Sequence, residues 1–169
     1  MYTALKYVNE QGGIQATRIE DGIYVYLEPG TDEHDLAEGG AWGAIEALHV
    51  PTLAEIKAAK LNDLGSYRWA YERAGTTIGG TSMDTSETTR LALIGANEKA
   101  RGNPAYTVNF KIAAGSWITL NALEIIALAD GLADFVQACF DREKVLSDLI
   151  VAAVDEAEID AIDITSGWP

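Results

Sequence analysis

The groups in this chain that titrate, bind metals or attack carbonyls are few, apart from its carboxylates. There are two histidines, His34 and His49, and a single cysteine, Cys139. His34 stands in Thr31-Asp32-Glu33-His34-Asp35, where oxygen and nitrogen ligands for a divalent cation crowd together. Metal sites usually draw ligands from a rigid scaffold with oriented outer partners, and a solvated acidic loop accounts for the same residues. His49, beside Val50-Pro51, reads as a structural or surface residue. Cys139 falls on an apolar helical stripe, where cysteine behaves as a small hydrophobe. A lone cysteine also leaves no internal disulfide and no thiolate zinc cage. Gly115-Ser116-Trp117 lacks the second glycine of a nucleophile elbow. Neither Gly12-Gly13 nor Gly79-Gly80 is followed by the Lys-Ser/Thr of a phosphate loop. A glycosidase needs two carboxylates facing across a cleft, and no spacing here selects two. The run Asp155, Glu156, Glu158, Asp160 and Asp163 reads as a solvated helix face. These residues predict no enzyme, no cofactor and no metal.

The aromatics carry more information. Tyr67 and Tyr71 share one helix face, and Trp69 lies far around from both, so Trp69 is expected to lean outward. Tyr24, Tyr26, Trp42 and Trp168 add large rings outside the predicted core. Tyr and Trp favour protein interfaces because they bury much area with few rotors. Tyr24, Tyr26, Trp42, Trp69 and Trp168 are therefore the partner-binding candidates; the alternative is that the β-rich start of the chain packs over such rings internally. The formal charge of −14, with only 12 Lys and Arg, opposes a nucleic-acid partner. The longest apolar region, from Leu123 to Val154, is broken by Asp130, Asp134, Asp141, Arg142 and Asp148, so no membrane insertion is expected. Met1 to Lys6 lacks a signal-peptide pattern, and a soluble chain made in the cytosol is expected.

The elements that must position these residues read as α+β: an N-terminal β-hairpin region, then a helix–hairpin–helix–hairpin–long helix core. Residues 1–50 form the β-rich attachment region and residues 51–169 the core. Tyr2–Val8, Ile14–Ile19 and Ile23–Leu27 read as strands, the last two joined by a two-residue Asp21-Gly22 turn. Tyr24 and Tyr26 alternate with Ile23, Val25 and Leu27, giving an aromatic and an aliphatic face. Thr31–Gly40 reads as a loop or frayed turn, and Ala41–Leu48 as a short helix. Thr52 with Glu55 marks a capping box opening a helix through Tyr71, closed by Gly75. Gly79-Gly80 centres a hairpin, and Asp84 with Glu87 opens a second helix ending before Gly102-Asn103-Pro104. A further hairpin turns at Ala114-Gly115. Asn121 with Glu124 starts the longest helix, striped by Ile125, Leu128, Leu132, Phe135, Val136, Cys139, Leu146 and Leu149. Gly131 within it invites close packing or a bend. Residues 155–162 close with a brief helix, and Ser166–Pro169 form a tail.

From Thr52 onward the layout resembles a domain family of unknown function found in tail gene clusters of tailed bacteriophages, near tail-fibre and fibre-assembly genes. The pieces are Tyr67-Arg68-Trp69-Ala70-Tyr71-Glu72-Arg73-Ala74-Gly75, Met83-Asp84-Thr85-Ser86, Leu91-Ala92-Leu93-Ile94-Gly95-Ala96, Trp117 with Thr119-Leu120, Phe140-Asp141-Arg142-Glu143, Ile159-Asp160-Ala161-Ile162 and Gly167-Trp168-Pro169. Ile19 to Pro29 is similar to the short leader of phage tail proteins, although Thr31-Asp32-Glu33-His34 replaces its Asn-rich continuation. The resemblance implies no catalytic residues. It implies a virion protein of the tail tip, baseplate or fibre base, made in the bacterial host cytoplasm and docking other tail proteins in multiple copies. A fibre-assembly chaperone absent from the finished particle, and a host-glycan-binding tail protein, are the alternatives.

Overall fold

The computed structural model describes residues 1–112 and 115–169. The fold is α+β, and its strands pair antiparallel within three small sheets. The chain divides into two compact units, Met1–Pro51 and Thr52–Pro169.

In the first unit β1 (Tyr2–Tyr7), β2 (Ile14–Arg18) and β3 (Tyr24–Leu27) form a sheet in that order. Alternation turns Ile14, Ala16 and Leu27 inward, where they meet Leu5 and Ala37. Residues 31–40, expected to be a loop, contain α1 (Asp32–Glu38). The Thr31 hydroxyl accepts the His34 N–H, and Asp32, Glu33 and Asp35 set negative charge against the first turn. The helix expected over residues 41–48 is absent. The Glu46 N–H donates to the Leu5 carbonyl, and the Glu46 carbonyl accepts the Tyr7 N–H, so β1 takes the groups that a helix would use. Gly40 and Gly43, at φ 79° and 102°, also bend this stretch out of helical geometry. The Asp21-Gly22 turn is longer than expected. Gly22 alone takes positive φ, and the Asp21 carboxylate instead accepts the Ile23 N–H and pairs with Arg18.

The second unit runs α2 (Leu53–Tyr71), β4 (Thr76–Ile78), β5 (Thr81–Met83), α3 (Glu87–Gly102), β6 (Thr107–Lys111), β7 (Trp117–Asn121), α4 (Ala122–Ala152) and α5 (Glu156–Asp160). Both capping boxes form: Thr52 with Glu55, and Asn121 with Glu124. Two openings and closures differ from expectation. Ser86, not Asp84, is the cap of α3; Asp84 accepts hydrogen bonds from Ser86 and Thr89. Helix α2 ends on Glu72, and Gly75, at φ 96°, serves instead to turn the chain into β4. Of the Ala114-Gly115 turn, Ala114 lies outside the described residues, and Gly115 has φ 77°.

Helix α4 supplies both apolar clusters of this unit. Ile125, Leu128 and Leu132 pack with Leu93, Phe110 and Met83, while Leu146 and Ile150 pack with Leu64. Ile150 takes the inward place expected of Leu149, which is exposed. Gly131 works as a contact: a Cβ there would stand 2.5 Å from Ile78 Cγ2, so its absence lets the β4–β5 hairpin lie on α4. Among the described residues no helix is long and apolar enough to cross a membrane.

Candidate functional site

Strand β3 is the uncovered edge of the first sheet, since β1 at the other edge bonds to the Glu46 segment. The Arg18 N–H donates to the Ile23 carbonyl, and hydrogen-bonded pairs alternate along an antiparallel ladder. By that register Val25 and Leu27 direct their backbone groups to β2, and Tyr24 and Tyr26 direct theirs outward. The same two tyrosines project their rings to the open face, where Tyr24 is 73% exposed. A depression of about 330 Å³ lies beside them, lined by Val8, Gln15, Tyr24, Val25 and Tyr26. Tyr26 is held in place. Its hydroxyl accepts Asn9 Nδ2 at 2.9 Å, and Asn9 Oδ1 accepts the Gly13 N–H at 2.7 Å. A Cβ on Gly13 would fall 2.1 Å from that hydroxyl, so the glycine is required by the tyrosine above it.

In the second unit Trp69 points outward as expected, 55% exposed, with the Arg73 guanidinium 4.4 Å from its ring centroid. The other two candidates are not free surface. Trp42 is half-buried against the first unit's core, edge-on to Tyr2 at 4.8 Å between ring centroids. Trp168, expected in an open tail, packs on Tyr67 and Tyr71 at 5.5 and 5.6 Å and donates its Nε1–H to the Ile164 carbonyl. The Tyr71 hydroxyl reaches the Pro169 carbonyl, and Arg142 donates to that of Ser166, so the tail is tied down. Trp42 thus packs within the β-rich region, and Trp168 packs on α2 of its own unit rather than under that region. Tyr24 and Tyr26 on one unit, and Trp69 on the other, remain as exposed rings.

A charged network that sequence reasoning did not single out lies beside Trp69. Glu72, only 4% exposed, receives Arg68 Nη1 at 2.6 Å, Arg73 Nη1 at 2.9 Å and Arg90 Nη1 at 3.3 Å. Its carbonyl also accepts Arg90 Nη2, and Arg90 Nε donates to the Thr85 carbonyl. Arg68 Nε stands 2.7 Å from Glu143 Oε2, an ionic contact outside hydrogen-bonding geometry, while the Arg68 guanidinium covers the Phe140 ring. With three arginines shared between Glu72 and Glu143, the network joins α2, α3 and α4. The i,i+4 spacing of Arg68 and Glu72 was the one local sign of it.

Two of the groups first considered for chemistry, His34 and Cys139, are buried. His34 is buried on α1, and its Nε2–H donates to the Gly12 carbonyl at 2.8 Å. Cys139 is buried near the Glu72 network; burial, then the Glu72 charge, pushes its thiol above the ordinary range. Among the described residues no three or more His, Cys, Asp or Glu side chains gather to hold a metal ion.

Residues 55–166 match the model of a family described as a domain of unknown function, DUF4376. That span is most of the chain, which therefore belongs to this family. No curated protein and no solved structure matches the chain.

Proposed function

We propose that this member of the DUF4376 family is a non-enzymatic adaptor of a bacteriophage tail, working at the tail tip, baseplate or fibre base by docking other tail proteins. The tail assignment rests on the resemblance of its helices and hairpins to tail-cluster domains. The docking assignment rests on one observation: Tyr24 and Tyr26 offer both exposed rings and outward backbone groups along the free edge of β3. An edge strand of this kind accepts an extended segment of another chain, with backbone bonds giving affinity and the rings giving selectivity. Trp69 stacked on Arg73 offers a second aromatic contact. Copies arranged around a tail axis would make such modest contacts collectively strong.

The double variant Tyr24→Ala/Tyr26→Ala is expected to lose capture of tail proteins expressed from the same gene cluster, with its circular dichroism unchanged. Retained capture by the folded variant would reject the edge-strand reading. Mass spectrometry of purified particles is expected to find the protein. Its absence from particles, with capture intact, would assign it to assembly as a chaperone.

A further inference from the structure

Tyr26 meets the β1–β2 turn through a hydrogen-bond relay whose polarity is fixed from its far end. Gly13 is buried, and its backbone N–H can only donate. It donates to Asn9 Oδ1 at 2.7 Å, which sets the Asn9 carboxamide with Nδ2 toward Tyr26. Nδ2 carries the amide hydrogens and accepts nothing, so at 2.9 Å the Tyr26 hydroxyl oxygen is the acceptor. Turning the amide over would face two donors at Gly13 and leave a buried N–H unpaired.

The turn that carries this relay is itself anchored. The Gly12 N–H donates to the Asn9 carbonyl and the Val8 N–H to the Gly13 carbonyl. From α1, His34 Nε2–H holds the Gly12 carbonyl at 2.8 Å. A phenol has one hydrogen to give and lone pairs to receive with. Asn9 takes a lone pair of Tyr26, so the hydrogen is left over, and among the described residues none accepts it. Tyr26 is half-exposed and lines the depression beside β3 together with Gln15, its cross-strand neighbour.

We infer that Tyr26 addresses its partner as a hydrogen-bond donor, so the extended segment docked on β3 carries an acceptor oxygen where it meets the Tyr26 hydroxyl. This rests on the edge-strand reading and adds a chemical preference to it. A segment that offers only donors there leaves the Tyr26 hydrogen unpaired once water is excluded, which selects against it. Asn9 and Gly13 are then positioning residues: they touch no partner and decide which way the hydroxyl points.

Two substitutions in the full chain separate the donor from the ring, and both lie outside the apolar core, so both should fold. Tyr26→Phe keeps the ring and removes the hydrogen. Asn9→Asp keeps an acceptor for the Gly13 N–H, presents a second one to Tyr26, and so turns the hydroxyl hydrogen inward. Ultraviolet resonance Raman reads this without any partner. The Fermi doublet of Tyr26, isolated by difference against the same chain carrying Tyr26→Phe, is expected to move toward the donor form in Asn9→Asp; an unmoved doublet would overturn the inference. Titration against the tail protein that the parent captures is expected to weaken about threefold to tenfold with either substitution, as for one lost hydrogen bond. The Asn9→Asp loss should persist at high salt, where its added charge is screened. Binding lost with Tyr26→Phe but kept with Asn9→Asp would make the partner's group a donor. Binding kept with both would leave only the ring at work, and a loss that salt restores would be repulsion. Each of these overturns the inference while the edge-strand reading stands. A parent that captures no tail protein, or a Tyr24→Ala/Tyr26→Ala variant that captures as well as the parent, removes that reading and the inference with it.

Discussion

The first unit packs Leu5, Ile14, Ala16, Leu27 and Ala37 under one small sheet and relies on polar side chains to hold its turns. Asn9 ties Gly13 to Tyr26, Asp21 ties Arg18 to Ile23, and Thr31 caps α1. The second unit strings two apolar clusters along a 31-residue helix and adds a buried ion network. A domain near 50 residues buries a smaller share of its surface than one twice that length, so each polar tie counts for more in it. The comparison also separates the surfaces: the smaller unit offers a strand edge, the larger an exposed ring at Trp69.

The sharpest way to break this comparison is at Glu72. Glu72→Ala leaves Arg73 and Arg90 without a carboxylate partner in a part-buried site, and about 3–5 kcal/mol is expected to be lost, as when one partner of a buried ion pair is removed. Hydrogen exchange should rise across α2, α3 and α4 and stay unchanged in β1–β3. Trp42→Ala tests the other side. Removing a half-buried ring should cost about 2 kcal/mol, less than a fully buried one, with faster exchange in β1 and β2 only. A weakened partner contact with unaltered exchange would instead return Trp42 to the docking surface. Gly131→Ala is expected to cost about 1 kcal/mol net, the clash with Ile78 outweighing the helical preference for alanine. Ile78→Ala in the same chain should make that substitution harmless, read as a coupling energy in denaturant titrations.

The smallest effect concerns acid. Hydrogen bonds from Thr89, then Ser86, hold the Asp84 carboxyl below the ordinary carboxylate range. A carboxyl whose folded value is depressed adds stability above its unfolded value and loses it as pH falls through the folded one. Asp84→Asn should therefore be less stable than the parent near neutrality, the two converging in strong acid. Parallel curves down to strong acid would dismiss the role of Asp84.

Much of this architecture is legible in the residues because it is local. Capping boxes need only positions three apart, so Thr52–Glu55 and Asn121–Glu124 announce α2 and α4. The alternation of β3 likewise tells which face bears Tyr24 and Tyr26. What escaped depends on distant partners. Residues 41–48 look helical until β1 claims the backbone of Glu46. Trp168 looks loose until Tyr67 and Tyr71 receive it. Periodicity says which way a ring points, and it cannot say what waits there. Residues 31–40 differ for another reason: the Thr31 cap is local, but a short acidic stretch ending in glycines has the composition of a loop as much as of a helix.

Helix α4 rises about 1.5 Å per residue and so extends roughly 46 Å without interruption, gripping one apolar cluster through Leu128 and the other through Leu146. It acts as a shared axle. Whatever loosens the packing at Leu128 also frees backbone continuous with that at Leu146, so the two clusters share one support.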